Sequence, residues 1–257
     1  MRIVIKIGTS TLAHKSGELN IRRTEELCRI ISDIKNSGEE IIIVSSGAIG
    51  MGAAKLSLQG KPQDIATKQA AAAVGQCELM YRYDKLFAEY HHTVAQILLT
   101  GSDFNNDDRH QNFINTISKL LELKALPIIN ENDTIATDEI KVGDNDTLSA
   151  LVSVSVSADL LILLSDIDGL FTADPHKDPN AKLIKEIKCI DDSILSLAGD
   201  TSSGLGTGGM KTKLSAAQIC TKGGCDMVIA NGSNPSILYD IISNSDAVCT
   251  RFFAQRS

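Results

Sequence analysis

Short apolar runs alternate with longer segments of helical period along this chain. Seven runs rich in Ile, Val and Leu have the length and composition of strands, namely residues 3–7, 41–45, 94–99, 126–130, 160–164, 227–230 and 248–252. Because these runs are almost continuously apolar, they predict a sheet that is covered on both faces. The alternation of strand and helix patterns is typical of βα units arranged around a parallel sheet.

Two of the predicted helices have a clear pattern. Apolar residues recur at helical spacing between Ile21 and Ile34, and a second helix is predicted from about residue 64 through the Ala-rich stretch 70–73 towards residue 89. The sequence contains no internal repeat. The only linker-like stretch, residues 198–209, is too short to separate domains. We therefore expect one continuous domain.

Charge and composition narrow the class of protein. Lys and Arg total 25 against 32 for Asp and Glu, a net charge of −7, which argues against nucleic-acid or membrane partners. No uncharged apolar stretch reaches about 18 residues, and the first residues resemble a strand rather than a targeting signal. The six cysteines are scattered, without a zinc-like spacing, and are expected to be reduced thiols. The sequence predicts a soluble, cytoplasmic protein with no bound metal of its own.

Small and polar residues follow several of the predicted strands, where ligands bind in open α/β sheets. These segments are residues 6–10 (KIGTS), 45–50 (SSGAIG), 130–133 (NEND) and 165–169 (SDIDG). Small residues allow backbone N–H groups to approach an anion closely. Each segment alone would also suit an ordinary βα turn. Their joint occurrence favours an anion-binding site.

A glycine-rich segment, residues 204–213 (GLGTGGMKTK), leads into a predicted helix that extends to about Thr221. Glycine N–H groups, a helix N-terminus and Lys213 one turn inside the helix suit a phosphate group. The segment matches G-x-G-x-x-G, but it occurs late and follows no clear strand, which disfavours a dinucleotide fingerprint. A P-loop motif is absent from the sequence. A flexible surface loop remains an alternative.

Residues 141–146 (KVGDND) precede an apolar helix, and Asn145 or Asp146 could be a plain N-cap. The strand-end segments contain lysines, amides and carboxylates but no Ser-His-Asp set, and the five histidines lie elsewhere in the chain. A carboxylate acceptor would explain this pattern. With a pKa of about 4.3, such a nucleophile is already ionised and needs no general base. The catalytic task is then to neutralise charge, which lysines and N–H groups can do.

Taken together, residues 4–10, 44–49, 129–133, 141–146 and 204–213 resemble, in order and spacing, the motifs of the amino acid kinase family. The combination of N-E-N-D, K-V-G-D-N-D and G-L-G-T-G-G-M is specific, and it resembles the members that phosphorylate the side-chain carboxylate of L-glutamate. The resemblance covers essentially the whole chain. It implies an α/β fold, a three-layer αβα sandwich with a mainly parallel central sheet, as a single domain over residues 1–257. Glutamate would bind the N-terminal half and ATP the C-terminal half.

The resemblance also implies roles for individual residues. Lys6 and Lys213 would contact the transferring phosphoryl group, and Asp146 would orient both lysines, which makes these three the predicted catalytic residues. The predicted glutamate-binding residues are Ser46, Asp133 and Asn145. The predicted ATP-binding residues are Lys6, Gly8, Ser165, Asp166, Thr207, Gly208, Gly209, Met210, Lys211, Thr212 and Lys213. Mg²⁺ would be held largely by the ATP phosphates.

Further expectations come from the same resemblance. It implies the first step of proline biosynthesis, with proline as a feedback inhibitor and a homo-oligomeric assembly. Many bacterial members carry a C-terminal PUA domain of an RNA-binding type, which this sequence is expected to lack because it stops at Ser257. Two alternatives stay open: a related amino-acid, acetylglutamate or UMP kinase, and a non-catalytic amino-acid sensor on the same fold. Both lysines are present, which disfavours the sensor.

Overall fold

The computed structural model describes residues 1–14, 18–58, 60, 62–136, 142–175, 177–198 and 209–255. Within these ranges the strands are β1 (Arg2–Ile7), β2 (Glu40–Ser45), β3 (Val94–Leu99), β4 (Leu126–Glu131), β5 (Leu160–Ser165), β6 (Glu186–Ile187), β7 (Asp226–Asn231) and β8 (Cys249–Phe252). The helices are α1 (Thr9–Leu12), α2 (Ile21–Asn36), α3 (Ala48–Lys55), α4 (Ile65–Ala88), α5 (Gly101–Phe104), α6 (Asp107–Glu122), α7 (Asn145–Ser155), α8 (Asp192–Ser196), α9 (Met210–Lys222) and α10 (Ile237–Ile242).

The strands form one sheet in the order β3-β4-β2-β1-β5-β7-β8-β6. The pairs from β3 through β7 are all parallel, and β8 runs antiparallel to β7. β6 pairs parallel with β8 at the edge of the sheet. The prediction of a mainly parallel sheet is therefore confirmed, and β1 lies in its interior.

The sheet separates two apolar cores because successive side chains of a strand point to opposite faces. Ile3 and Ile5 of β1 belong to the core that contains residues of α2, α4 and α10. Val4 belongs to the opposite core, with residues of α6, α7 and α9. The three layers are helices, sheet and helices, which confirms the predicted αβα sandwich.

All seven predicted strands are present, each within one residue of its predicted ends. The short strand β6 was not predicted, because two residues carry no periodic pattern. The second predicted helix corresponds to α4, whose N-cap Asp64 accepts a hydrogen bond from the backbone N–H of Thr67 at 2.9 Å. An Asx cap of this kind is the physical reason why the helix begins there.

Helices α3 and α4 are in backbone contact. A β-carbon on Gly75 would stand 1.7 Å from the carbonyl oxygen of Ala48, and one on Gly52 would stand 1.8 Å from the carbonyl oxygen of Ala71. No side chain fits at either glycine, so the two helices approach more closely than side chains would allow. This contact fixes the start of α3, which follows β2, relative to the middle of α4.

Candidate active site

The order of strands reverses at β1, because β2 lies on one side of it and β5 on the other. Such a switch point opens a crevice at the carboxyl ends of the strands, where ligands bind in α/β sheets. Lys6 is the last residue but one of β1 and is in register with Val44 of β2 and Leu163 of β5. By alternation it shares the face of Val4, on the side of α7 and α9. The central strand therefore brings Lys6 to this crevice.

One buried carboxylate binds two lysines at this point. Lys6 Nζ lies 2.6 Å from Asp146 Oδ1, and Lys213 Nζ lies 3.1 Å from Asp146 Oδ2. Asp146 is 1% exposed and is the second residue of α7, while Lys213 is 4% exposed and is the fourth residue of α9. The structure thus brings together all three predicted catalytic residues, from the beginning, middle and end of the chain. We refer to them as the Lys–Asp–Lys group.

The electrostatics of this group favour an ionised carboxylate. Burial by itself raises the pKa of the Asp146 carboxyl, because it disfavours the charged form. The charges and hydrogen bonds of Lys6 and Lys213 act in the opposite direction and outweigh burial, so the pKa of Asp146 is lowered to about 2. A single carboxylate therefore forms ion pairs with two ammonium groups beside the crevice.

The N-cap of α7 is Asp144, whose carboxylate accepts hydrogen bonds from the backbone N–H (2.8 Å) and hydroxyl (3.0 Å) of Thr147. The alternative that Asn145 or Asp146 is a plain cap is therefore wrong. The cap function belongs to the residue before them, and both lie inside the first turn of the helix. Their side chains are consequently available for contacts with other elements.

The N-terminus of α9 has the features of a phosphate site. Its N-cap, Gly209, has no side chain to bind the first N–H groups, and the first turn contains no acidic residue. Thr212 Oγ1 lies 3.1 Å from Asp146 Oδ2 and 2.8 Å from the Gly209 carbonyl oxygen. The backbone N–H groups of a first helical turn and the helix dipole favour an anion at such a terminus. Lys213 therefore links Asp146 to a helix end that suits an anion.

Three more of the predicted ATP-binding residues are close in sequence to Lys6 or Lys213. Met210 is partly buried and Lys211 is exposed, both in the first turn of α9. A β-carbon on Gly8 would stand 3.5 Å from Lys6 Nζ, in ordinary van der Waals contact, so Gly8 lies directly beside this ammonium. Thr207 and Gly208, together with Lys141 of the K-V-G-D-N-D motif, lie outside the described residues.

Ser165 and Asp166 occupy the carboxyl end of β5, on the other side of β1 from β2. The buried Ser165 hydroxyl donates a hydrogen bond to Asp166 Oδ1 at 3.1 Å, and Asp166 itself is exposed. Next to them, Asn231 Nδ2 donates to Asp168 Oδ1 at 2.8 Å and so joins the loops after β7 and β5. The Asp168–Asn231 pair was not predicted, because the two residues are distant in sequence.

A cluster of amides and hydroxyls lies on the opposite side of the Lys–Asp–Lys group, at the ends of β2 and β4. Asn145 Nδ2 is 2.7 Å from Ser46 Oγ, 3.1 Å from the Ser45 carbonyl oxygen and 3.1 Å from Asn130 Oδ1. Two of the three predicted glutamate-binding residues, Ser46 and Asn145, are thus in contact. The third, Asp133, is in the turn that follows β4, three residues beyond Asn130.

Gln76 also belongs to this cluster and was not predicted. It accepts a hydrogen bond from Asn130 Nδ2 at 2.9 Å. Gln76 is 7% exposed and lies on the buried face of α4 with Ala72, Leu79 and Tyr83. A polar residue in an apolar stripe at positions i, i+4, i+7 and i+11 was the signal that could have identified it.

Neither a metal cluster nor a membrane-spanning helix occurs in the described part of the chain. No three His, Cys, Asp or Glu side chains within these ranges are grouped so that they could hold a metal ion. None of the helices there is both long and apolar enough to cross a bilayer.

The sheet topology and the Lys–Asp–Lys group fit an α/β enzyme that transfers phosphoryl groups, and the comparison with known proteins shows this class. The sequence profile of the amino acid kinase family matches residues 1–231. The chain belongs to this family.

Curated relatives within this family include several glutamate 5-kinases. A glutamate 5-kinase from Clostridium perfringens is 52% identical over 99% of this chain and 96% of its own length. Those from Caldanaerobacter subterraneus and Listeria innocua are both 48% identical, and the match covers 69% and 94% of their respective lengths.

Solved structures show the same fold at low identity. An isopentenyl phosphate kinase has a TM-score of 0.69 at 17% identity, with 98% of this chain and 99% of that chain covered. Carbamate kinase from Giardia lamblia bound to AMP-PNP has a TM-score of 0.68 at 17% identity, covering 99% and 98% of the two chains. These similarities confirm the amino acid kinase fold.

Proposed function

We propose that this protein transfers the γ-phosphoryl group of ATP to the side-chain carboxylate of L-glutamate, which gives L-glutamyl 5-phosphate, the first step of proline biosynthesis. Relatives named glutamate 5-kinase, about 50% identical over nearly the whole chain, support the substrate pair. The observation that carries the mechanism is the Lys–Asp–Lys group, which lies between an uncapped helix N-terminus and an amide cluster.

In this proposal the two sides of the crevice bind different substrates. The ATP phosphates would lie against the N-terminus of α9, with Ser165 and Asp166 on the nucleotide side. Glutamate would lie against Ser46, Asn145 and Asp133, at the ends of β2 and β4. Lys6 is on β1, between the two sides, and is therefore placed to contact the group that moves from one substrate to the other.

The chemical step requires charge neutralisation more than proton transfer. A carboxylate oxygen of glutamate attacks the γ-phosphorus, a new O–P bond forms, and the bond from that phosphorus to the β,γ-bridging oxygen breaks as ADP leaves. The attacking carboxylate is already ionised at neutral pH, so no base has to remove a proton. Lys6 and Lys213 would stabilise the negative charge on the transferring group, and Asp146 would hold both ammoniums in place.

Mg²⁺ would enter with ATP and neutralise part of the phosphate charge. Both oxygens of Asp146 form ion pairs with lysines, so in this proposal the carboxylate holds the lysines and the ATP phosphates hold the ion.

The proposal also includes proline as an inhibitor, a homo-oligomer and a cytoplasmic location, as the family resemblance implies. Adding proline to the assay at fixed glutamate should lower the rate, and light scattering should give a mass above 27.5 kDa. Each of these properties is tested separately from the reaction itself.

One assay tests the reaction. The protein is incubated with Mg-ATP and L-glutamate, N-acetylglutamate, L-aspartate or UMP, and acyl phosphates are trapped with hydroxylamine. We expect strong hydroxamate formation with L-glutamate alone. If N-acetylglutamate or aspartate were turned over equally fast or faster, glutamate would not be the specific substrate. ADP release with UMP, without hydroxamate, would indicate that the acceptor is a phosphate group.

A further inference from the structure

Three side-chain amides lie in a row behind the proposed glutamate site, one on each of three elements. Gln76 is on α4, Asn130 on β4 and Asn145 on α7. Asn130 Nδ2 donates to Gln76 Oε1 at 2.9 Å, and Asn145 Nδ2 donates to Asn130 Oδ1 at 3.1 Å. The row ends at Ser46, whose hydroxyl is 2.7 Å from Asn145 Nδ2.

A backbone contact shows how the amides of the row are oriented. The backbone N–H of Glu131 donates to Asn130 Oδ1 at 2.9 Å, and an N–H group can bond only to the oxygen of that amide. The NH₂ group of Asn130 must then face Gln76, which has to present its oxygen. Asn145 in turn must present its NH₂ group to Asn130 Oδ1. The oxygen of Asn145 is therefore directed away from this row of amides.

This orientation matters for an amino-acid substrate. An amide oxygen that is turned outward accepts hydrogen bonds, as the α-ammonium group of glutamate requires, whereas an outward NH₂ group would oppose that ammonium. If the Asn130 amide could rotate, Asn145 would lose the acceptor that holds its NH₂ group in place. The side chain that opposes this rotation from the far end is Gln76.

Gln76 is itself held rigidly. It follows Gly75, which is in backbone contact with Ala48 of α3, and its side chain is 93% buried, since 7% is exposed. Its Nε2 atom has no hydrogen-bond partner among the described residues. A buried, unpaired donor is unfavourable, so packing alone would favour an apolar side chain of the same length. The glutamine therefore stabilises the core less than an apolar residue would, and its oxygen is the atom that forms a hydrogen bond.

We propose that Gln76 is a positioning residue of the acceptor site, which acts through Asn130 on Asn145 and so sets the affinity for glutamate. This inference rests on the proposed function, because it assigns Asn145 to glutamate binding. Gln76 need not touch the substrate.

Two substitutions test the role from different directions. Gln76→Met keeps the length of the side chain but removes the oxygen, and Gln76→Asn keeps the amide but shortens its reach by one methylene. Both should raise KM for glutamate by about tenfold, the scale of one lost hydrogen bond of about 1.4 kcal/mol, and leave KM for ATP within twofold. Leu79→Ala is the packing control, because Leu79 is buried one turn further along the same face. It should lower the melting temperature without changing either KM.

A double-mutant comparison shows whether Gln76 acts through Asn145. In an Asn145→Ala background, Gln76→Met should change KM for glutamate by less than twofold, because the group it positions is gone. A full tenfold effect in that background, or an unchanged KM in both single Gln76 variants, would overturn the proposal. Glutamate binding measured by calorimetry gives the same comparison without turnover. If the wild-type protein neither binds nor phosphorylates glutamate, the proposed function fails, and the variants are then compared on the acceptor that it does use.

Discussion

The carbonyl oxygen of Ala48 lies 1.7 Å from the point that a β-carbon on Gly75 would occupy. Ala48 begins α3 two residues after Ser46, and Gly75 precedes Gln76 on α4. This backbone contact therefore joins the loop that carries one proposed glutamate ligand to the helix that carries the proposed positioning residue. The site depends on a close approach that only glycine permits.

We predict that Gly75→Ala destabilises the protein by about 3 kcal/mol or more, because the new methyl group overlaps backbone atoms that cannot move independently. Gly50→Ala is the matched control, since Gly50 is an exposed residue of α3 with nothing within 4 Å of its β-position. It should be neutral or stabilise by about 0.5–1 kcal/mol, as Gly→Ala does in a helix. Urea unfolding of both variants measures the difference. Equal effects at the two positions would contradict the close contact.

The second prediction concerns the two lysines. Lys6→Ala and Lys213→Ala should each lower kcat by a factor on the order of 10²–10³, the scale of losing one preorganised donor that stabilises developing charge. Lys222→Ala, an exposed lysine at the end of the same helix as Lys213, should leave kcat unchanged. Steady-state kinetics at saturating substrates gives the comparison. If replacing Lys6 and replacing Lys213 each lower kcat tenfold or less, their assignment to the phosphoryl group is wrong.

The third prediction separates the two sides of the crevice. Asn145→Ala and Asp133→Ala should mainly raise KM for glutamate, as the loss of ground-state binding does, with little effect on KM for ATP. Asp166→Ala, on the nucleotide side, should show the reverse pattern. Initial rates at varied concentrations of both substrates give KM for glutamate and KM for ATP in each variant. A rise in KM for ATP in the Asn145 and Asp133 variants, with glutamate unaffected, would mean that the two sides are assigned incorrectly.

Much of this site could be predicted from sequence, because parallel strands bring their carboxyl ends to one edge. Lys6, Ser46 and Ser165 each follow or end a recognisable strand, and the fold then determines that they are neighbours. The position of Lys213 followed from the glycine-rich segment before a helix. Strand alternation alone does not show which helix faces Lys6. The prediction that Lys6 contacts Asp146 therefore rested on the family resemblance.

The parts that sequence analysis missed depend on contacts between distant segments. Gln76 is 54 residues from Asn130, and no local pattern links the two. The N-cap of α7 was assigned one or two residues too late, since Asp144, Asn145 and Asp146 are all good caps by residue type. Only the geometry of the Thr147 N–H and hydroxyl, both bound to Asp144, distinguishes them.

The fourth prediction is that Asp146 organises the lysines without binding substrate. Asp146→Asn removes the charge but nearly preserves the shape, and it should lower kcat strongly while changing KM for glutamate much less than Asn145→Ala does. Asp146 and Lys6 act as a unit, so combining Asp146→Asn with Lys6→Ala should cost clearly less than the sum of the separate free-energy penalties. Full additivity would show that the two residues work independently.

The last prediction concerns the pH dependence of stability, which follows from the lowered pKa of Asp146. The ordinary pKa of an aspartate is about 3.9, and in the folded protein that of Asp146 is about 2, because the two lysines outweigh burial. A depressed pKa means that the unfolded chain binds the proton more readily. The carboxylate therefore contributes stability that is fully present above about pH 4 and is lost as the pH falls towards 2. A shift of about two units corresponds to roughly 2–3 kcal/mol. Asp146→Asn lacks this negative charge and takes the carboxylate away from Lys6 and Lys213, so it should be less stable than wild type by an amount that is constant from pH 7 to 5 and shrinks between pH 4 and 3. Asp84→Asn, which removes an exposed carboxylate from α4, controls for the change in net charge and should show a small difference at every pH. Urea unfolding at each pH measures the difference in the free energy of unfolding between each variant and wild type. If that difference for Asp146→Asn stays constant down to pH 3, the two lysines do not hold the carboxylate in its charged form.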